Sequence, residues 1–593
     1  MTMAIDAISL EVLRNKLDSI ADEMELTLLK SSHSAIVKEA LDASAALFDP
    51  AGQQIAQAAA APIHLGMIIP AVRKFVELFP PETMRDGDVY VLNDPFEGGT
   101  HLPDLVMSMP IFYEGKVAAI ATAISHQQDF GGRSPGSTPV DATEIYQEGL
   151  RIPPMKFHDA GTPNATLLAM IERNVRIPDV VIGDIHGQLA ACHVAKTRLH
   201  ELLDRLGAAA FAAGLKELLD RAERLTRQAI ERIPDGTYSF VDYLDNDGVT
   251  LDRRVRIAVA VTVSGSEILV DFTGTDPQVG GPINCVPAST LSAVYYVVKV
   301  AIDPDIPNNA GCYRAVQVHM PEGSIVNARP PAAVNARAVV VRRTVDCLLG
   351  ALNHAIPDRL PAASSGHPLV MSLGGIDPRD GHPYVTAEIG TGGMGARPTK
   401  DGVDSIQTDT SNAQDIPAEA IELEFPIRIG YWKLRADSGG VGRYRGGVGF
   451  EKRFEVLRGA ARISHRGERH LTAPWGLFGG GAGAQSRSLV RRADGSEVPI
   501  PSKLEFMLHP GDTLDVWTSG GGGHGDPLER DPELVRDDVL DGKVSAAAAA
   551  EAYGVVLNGN GVDTPATDAR RSDIAVLRGP ITWHYDRGPL GRE

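Results

Sequence analysis

Asn93-Asp94-Pro95-Phe96-Glu97-Gly98-Gly99-Thr100-His101-Leu102-Pro103-Asp104 is followed by a second short polar run, Ser125-His126-Gln127-Gln128-Asp129-Phe130-Gly131-Gly132. Between them lie two apolar segments, 105–113 and 116–126, joined by the turn Glu114-Gly115. That arrangement predicts a hairpin-like pair of strands. A further strand is expected at 88–93. Gly and Pro break regular structure, so the histidines and carboxylates are expected on loops at strand ends, where the hairpin brings them together. Neutral imidazole and carboxylate are the donors that hold Zn²⁺, Mn²⁺ or Fe²⁺ while leaving a position open. The pattern points to a metal-dependent hydrolytic or carbonyl-directed site.

Working towards the N-terminus, Leu10, Leu13, Leu17, Ile20 and Met24 recur at spacings of three and four, which predicts an amphipathic helix over 8–30. Ala45-Ala46-Leu47-Phe48 reads as a strand running into the turn Asp49-Pro50-Ala51-Gly52, with Gln54-Ile55-Ala56 returning beside it. A second helix is expected over 64–78, ended by Pro80-Pro81. The longest uncharged run, between Asp49 and Arg73, carries Gln53, Gln54, Gln57, Pro62, His64 and Pro70, a poor composition for a membrane span.

Working towards the C-terminus, 180–231 is rich in Ala, Leu, Glu and Arg and reads as helical, with breaks expected at Gly207 and Gly214. Pro234-Asp235-Gly236 closes that stretch. Alternating β-branched residues then predict strands at 255–261 and 267–272, and a helix is expected at 288–301. The last third contains glycine runs near 440, 480 and 520, which read as tight turns in an all-β region. Residues 556–593 show little pattern and read as a tail lying on the surface or on a partner.

A chain of 593 residues exceeds one core, so roughly two to four domains are expected. The expected fold is a mixed multi-domain α+β one. It comprises an N-terminal α/β metal-site domain (1–235), a central mixed α/β domain (236–435) and a C-terminal glycine-rich β domain with its tail (436–593). The formal net charge of −19 argues against nucleic acid and anionic membrane as partners. Cys192, Cys285, Cys312 and Cys347 form no C-x-x-C pair, which suits free thiols in a reducing cytoplasm. The first residues show no basic region followed by an apolar one, so no signal peptide is expected.

Several segments together resemble the hydantoinase B / 5-oxoprolinase family: Leu41-Asp42-Ala43-Ser44-Ala45-Ala46-Leu47-Phe48-Asp49, Pro62-Ile63-His64-Leu65-Gly66, the two histidine segments, Glu144 to Pro154, Gly392-Gly393-Met394-Gly395-Ala396-Arg397, and Ser438 to Arg443. The resemblance covers nearly the whole chain. It implies an ATP-dependent hydrolase of cyclic amides such as hydantoins, 5-oxoproline or small lactams. The chain would then work with a hydantoinase A-type subunit that binds ATP and phosphorylates the substrate, in a hetero-oligomer with two or more copies of each subunit. A related possibility is a subunit of an acetone-type carboxylase. A different one is a non-catalytic scaffold holding a structural metal.

The absence of a G-x-x-x-x-G-K-[ST] loop agrees with ATP lying on the partner. Both Gly115-Lys116 and Gly542-Lys543 are followed by Val.

The resemblance implies metal ligation by Asp42, His101, Asp104 and His126. Softness favours Zn²⁺, Mn²⁺ or Fe²⁺ without choosing among them. Asp42 before Ser44 also fits an Asx turn. Asp129 reads as a general base or a partner of a ligand imidazole, with His64 and Glu97 as further catalytic candidates. Gly98, Gly99 and Thr100 would let backbone N–H groups approach a bound anion. Arg397 would meet an anionic substrate or the partner subunit, and fits a structural salt bridge equally well. Met394 stands where the family loop often carries an aromatic residue.

Overall fold

A computed structural model of the chain describes residues 6–366 and 369–593, leaving the first five residues, on which the signal-peptide reading rests, outside the described part. The chain opens with α1 (Ala7–Ser31), capped by Asp6, whose carboxylate accepts from the N–H groups of Ile8 and Ser9. Its seam of Leu10, Leu13, Leu17, Ile20 and Met24 is buried, as the spacing predicts. A short α2 (Ala35–Lys38) leads into β1 (Ala43–Phe48) and β2 (Gln54–Gln57), then α3 (His64–Leu78), β3 (Val89–Leu92), β4 (Asp104–Tyr113), β5 (Lys116–His126), β6 (Met155–Asp159) and β7 (Thr162–Pro163). These seven strands form one antiparallel sheet in the order β2-β1-β5-β4-β3-β6-β7.

Both faces of this sheet are buried, and the alternation of side chains divides it between two cores. Ala43, Ala45, Leu47, Leu105, Met107 and Met109 face the core shared with α1. Ala46, Phe48, Val106, Ile120 and Ile124 face the other way, into a core that includes α3. Two-sided burial explains why β4 and β5 read as apolar runs rather than as polar–apolar alternation. After α4 (Ala165–Asn174), α5 (Pro178–Leu206) joins the first core through Val181, Ile185, Cys192 and Leu199.

Gly207, at φ 78°, separates α5 from α6 (Ala208–Ile230). The break expected at Gly214 does not occur. Gly214 lies buried inside α6, where a residue without a side chain serves close packing and costs the helix only about 1 kcal/mol relative to Ala.

A second sheet follows, in the order β11-β10-β9-β8, built from β8 (Gly236–Leu244), β9 (Val255–Ser264), β10 (Glu267–Asp271) and β11 (Val316–His319). Helices α7 (Pro287–Ala301) and α8 (Ala338–Asn353) belong to its core, and α7 also meets α3. Gly66 of α3 sits so close to α7 that a Cβ there would lie 2.6 Å from the Ser292 amide nitrogen. That contact explains the glycine in the Pro62–Gly66 motif.

Apart from two short two-stranded ladders, the remaining strands form two packed sheets. One has the order β13-β12-β16-β20, from β12 (Leu369–Ile376), β13 (Pro383–Gly390), β16 (Ala461–Gly467) and β20 (Lys503–Leu508). The other is β14-β15-β21-β18-β19, from β14 (Ile427–Leu434), β15 (Phe450–Val456), β18 (Arg487–Arg491), β19 (Glu497–Ile500) and β21 (Thr513–Trp517). Met371, Leu373, Ile463 and Leu508 of the first meet Phe450, Phe454, Leu514 and Val516 of the second. Because β12 pairs with β16 from Leu369↔Gly467 to Gly375↔Ala461, a division at residue 435 would cut through a hydrogen-bonded sheet.

The run near 480 does contain the expected turn, at Phe478-Gly479, where the Gly480 N–H donates to the Leu477 carbonyl at 2.8 Å, but the runs near 440 and 520 are not tight turns. They are extended segments laid backbone against backbone: a Cβ on Gly521 would meet the Met394 carbonyl oxygen at 2.1 Å, and one on Gly440 the Gly481 carbonyl oxygen at 2.2 Å. Glycine is required there for close approach. The tail lies on the surface for most of its length, its helix Thr564–Arg578 burying only Thr567, but its end is anchored in the core. Tyr585 is buried against Phe240 and Trp475, and its hydroxyl donates to the Gly350 carbonyl at 2.7 Å. No helix among the described residues is long and apolar enough to cross a membrane. All four cysteines are buried as free thiols.

Candidate metal centre

Strand register creates the site. Asp104 opens β4 and His126 closes β5, and the two are direct partners in the antiparallel pair. On the other side of β5, Ala43 pairs with Ser125, and the His126 N–H donates to the Asp42 carbonyl at 3.1 Å. Asp42 therefore lies one step beyond the start of β1, alongside His126. The preceding residue, Leu41, holds φ 60°, a conformation that bulky residues seldom adopt and one that turns the chain into the strand. His101 reaches the same place from the Gly-rich loop before β4, where the Asp104 N–H donates to the His101 carbonyl at 3.1 Å.

Donor atoms of His101, Asp104 and His126 all lie within 4.8 Å of one another. The His101 and His126 rings are 5.1 Å apart, centroid to centroid. His101 Nε2 is 3.0 Å from Asp104 Oδ1 yet has no hydrogen-bond partner. His126 Nδ1 and His64 Nδ1 are likewise buried without partners. Buried polar atoms are normally satisfied, so the partnerless His101 nitrogen beside the Asp104 carboxylate, with His126 within 4.8 Å of both, fits a cation shared among these three.

The surrounding bonds fit the same reading. His101 Nδ1 is 3.2 Å from the Asn335 carbonyl, to which its N–H can donate, leaving the Nε2 lone pair for a ligand. Asp104 Oδ2 accepts from the Thr100 hydroxyl at 2.5 Å and from Arg337, leaving Oδ1 free.

Electrostatics favour the metal-competent protonation states of His101, Asp104 and His126, but not of Asp42. Burial pushes both the His126 and His64 imidazoles down to about 4, so both are neutral near pH 7. Burial also lowers His101, with Arg337 adding to the effect. Burial alone would raise the Asp104 carboxyl, but His101 and Arg337 outweigh it and hold Asp104 well below the usual range. Asp42 is raised, chiefly by burial. Its side chain is 21% exposed, and Oδ1 stands 3.9 Å from His64 Nε2.

These groups share one cavity of about 80 Å³ that opens to solvent. Asp42, His64, His101, Asp104 and His126 line it together with Arg337, Arg342 and Arg466. The motifs read from the sequence do not include the three arginines. Arg337 precedes α8, Arg342 lies inside it, and Arg466 comes from β16. The cavity is thus built from the seven-stranded sheet, α8 and the β13-β12-β16-β20 sheet, and is not confined to residues 1–235. One visible signal was an Arg342-Arg343 pair within the apolar run of α8, an expensive place for charge unless it does work.

Other expected site residues lie elsewhere. Asp129 is fully buried but does not line the cavity. Its carboxylate accepts from Arg176 Nη1 and the Arg176 N–H, each at 2.8 Å, and from the N–H groups of Gly136 at 3.0 Å and Gly131 at 3.3 Å. With both oxygens engaged in holding a loop, it has no lone pair directed at a substrate, which corrects the general-base expectation. Glu97 is half exposed and pairs with Lys74 at 3.1 Å.

Gly98 and Gly99 do not line the cavity either, and the Gly99 N–H donates to the Asp94 carbonyl at 2.9 Å. Cβ atoms there would meet the Pro70 carbonyl oxygen at 2.9 Å and the Asp94 carbonyl oxygen at 2.7 Å, so these glycines serve packing. Thr100 acts through Asp104 rather than through its backbone. Arg397 donates to the Asp401 carbonyl at 3.0 Å, and neither it nor Met394 lines the cavity. The conspicuous Glu144–Pro154 segment contributes Glu148, whose carboxylate accepts from the N–H groups of Val334 and Asn335 and from the Asn335 side chain at 2.8–2.9 Å. It fixes the residue that orients His101.

Comparison with known proteins gives a consistent picture. The family model described as hydantoinase B/oxoprolinase matches residues 6–527. The putative B-type subunit of a D-/L-hydantoinase from Pseudomonas sp. (strain NS671) is 32% identical over 570 residues, covering 93% of this chain and 95% of its own. The beta chain of the caprolactamase from Pseudomonas jessenii, also a subunit, is 35% identical over 587 residues, covering 96% and 99%. The crystal structure of the ATP-dependent caprolactamase from that organism superposes with a TM-score of 0.89 at 33% identity, covering 96% of this chain and 100% of that one. Nucleotide-free acetone carboxylase superposes with a TM-score of 0.87 at 22% identity, over 96% and 84%, a likeness of fold.

Proposed function

The chain belongs to the hydantoinase B/oxoprolinase family, and from that premise we propose that it is the metal-binding, hydrolytic subunit of a cytoplasmic ATP-dependent enzyme that opens cyclic amides. Its substrates are rings of the hydantoin, 5-oxoproline or lactam class. Its partner is a hydantoinase A-type subunit that binds ATP and phosphorylates the amide oxygen. The names of the hydantoinase and caprolactamase relatives, each a subunit, support a divided enzyme.

The observation that carries this reading is the convergence of unpartnered His101 Nε2, the free Asp104 oxygen and His126 in one cavity. His101, Asp104 and His126 would hold a divalent Zn²⁺, Mn²⁺ or Fe²⁺ ion, with Asp42 taking a fourth position from the cavity side. When bound, such an ion supplies hydroxide at neutral pH by lowering the pKa of its water towards about 7.

The protein's own contribution is preorganisation. Asn335 sets the His101 tautomer, and Thr100 and Arg337 fix the Asp104 carboxylate. An unactivated amide is a poor electrophile, which is why phosphorylation by the partner must come first.

The test is to reconstitute the chain with its A-type partner and follow ADP and ring-opened product in parallel. A His126→Ala complex is expected to bind ATP and to release no ring-opened product. Normal product formation by that complex would overturn the hydrolytic assignment. A carboxylated product from the wild-type complex would move the chain to the ketone-carboxylating branch.

A further inference from the structure

The cavity wall carries more positive charge than its acidic groups answer. Arg337 has a carboxylate partner in Asp104. Arg342 and Arg466 have none within ion-pair distance among the described residues, although both are buried. Arg342 donates to the Gly366 carbonyl at 2.8 Å and to Gln407 Oε1 at 3.2 Å. Arg466 donates to the Asn335 carbonyl at 2.9 Å and to Asn335 Oδ1 at 3.2 Å. All these acceptors are neutral. The Nε atoms of both arginines are buried with no partner.

Asp409 and Asp42 act on Arg342 from a distance, and Glu148 on Arg466. Glu148 is itself pushed up to about 7 by burial. Neither guanidinium is neutralised, and burial lowers each to about 10.

Keeping two unpaired guanidiniums out of water is unfavourable unless a ligand supplies the missing charge. With a divalent ion on the imidazole and carboxylate donors, three arginines and the ion face Asp42 and Asp104 alone on the cavity wall. A neutral ring leaves that excess unanswered, whereas oxyanion oxygens match the planar donor fork of arginine.

We propose that Arg342 and Arg466 form an oxyanion subsite that holds the anionic group of the substrate, through phosphoryl or carboxylate oxygens, in the cavity shared with His101 and His126. The proposal rests on the functional reading above only in treating this cavity as the substrate site. Arg342 and Arg466 are then substrate-binding residues, with Asn335 joining the two halves of the site because its carbonyl meets both His101 and Arg466.

The experiment is calorimetric titration of the full chain with inorganic phosphate and, separately, with acetate, each at fixed ionic strength in chloride. Zinc-loaded and chelator-treated protein are compared. Wild-type protein is expected to bind at least one of the two anions in both forms, and the tighter one identifies the group the site takes. Arg342→Gln and Arg466→Gln are each expected to weaken binding about tenfold or more with zinc content unchanged. Arg342→Lys and Arg466→Lys should recover part of the loss and guard against misfolding of the Gln variants. Undiminished anion affinity in folded Gln variants, or a wild-type chain that binds neither anion, would overturn the subsite. Failure of hydrolysis with the partner while arginine-dependent anion binding persists would sink the functional reading and leave the subsite standing.

Discussion

Asp104 and His126 face each other across β4 and β5, the first residue of one strand and the last residue of the other. A strand pair thereby fixes two donors that are far apart in sequence, with the backbone rather than a flexible loop setting their separation. His101, on the loop immediately before β4, completes the set within 4.8 Å. Sites mounted on strand ends hold their geometry better than sites built from loops alone.

Metal content should depend on these side chains individually. His101→Ala and His126→Ala are each expected to lose most of the bound ion, measured by elemental analysis after dialysis against metal-free buffer. Removing one of three or four ligands leaves an incomplete coordination set. Retention of wild-type metal by either variant would show that the ion sits elsewhere.

Asp129→Asn should be a stability variant. The carboxylate accepts four bonds and pairs with Arg176, whose side chain is 29% exposed, so the pair is partly screened by solvent. Neutralising it should cost about 1–3 kcal/mol. The expected result is a lower unfolding midpoint with unchanged metal content and an unchanged rate per folded molecule. A rate loss of a hundredfold or more in fully folded protein would restore Asp129 to the chemistry.

Much of the scaffold was legible. The spacing of Leu10, Leu13, Leu17, Ile20 and Met24 marks α1, and the apolar runs either side of Glu114-Gly115 mark β4 and β5. His101, Asp104 and His126 could be singled out because Gly and Pro bracket them. What stayed hidden depends on contacts made far along the chain. Asp129 looks like a cavity residue because it follows His126 by three, but its partner Arg176 lies 47 residues on. Arg337, Arg342 and Arg466 reach the cavity only when α8 and β16 are folded against the first sheet. The glycine runs near 440 and 520 misled for a related reason: at Gly440 and Gly521 the glycine serves backbone contact between distant segments, which nothing local reveals.

Stability should fall on acidification through histidines remote from the metal donors. His465 is fully buried between Ser502 and Ser488, with Nδ1 3.2 Å from the Ser502 carbonyl and Nε2 2.9 Å from the Ser488 hydroxyl. Burial first, then nearby His470, push it down to about 3. The unfolded imidazole, with an ordinary value near 6.5, takes up a proton well before the folded one does. Its stabilising contribution is therefore complete above about pH 6.5 and is lost as pH falls towards 3, at up to about 1.4 kcal/mol per pH unit. Denaturant titrations of metal-free protein between pH 7 and 5 should show a shallower pH dependence for His465→Gln than for wild type. Parallel slopes would mean that His465 is already protonated in the fold or solvated in it.

Arg337 should act on the metal through Asp104. Its guanidinium bonds Asp104 Oδ2 and lies 3.4 Å from the Thr100 hydroxyl, so it holds the carboxylate with Oδ1 turned towards the imidazoles. Arg337→Met keeps much of the side-chain volume and removes that tether. Outer partners of metal ligands typically contribute about 10–100-fold in affinity. The expected outcome is a metal dissociation constant raised by that factor, read by competition with a chelator of known affinity. Thr100→Val should give a smaller loss in the same direction, since Arg337 still anchors Oδ2. Because Arg337 positions a ligand without being one, excess metal should restore occupancy in Arg337→Met and should fail to do so in His101→Ala. Wild-type affinity in Arg337→Met would show that Asp104 is oriented by its strand alone, and an ion that cannot be restored at any concentration would make Arg337 essential to the fold of the site.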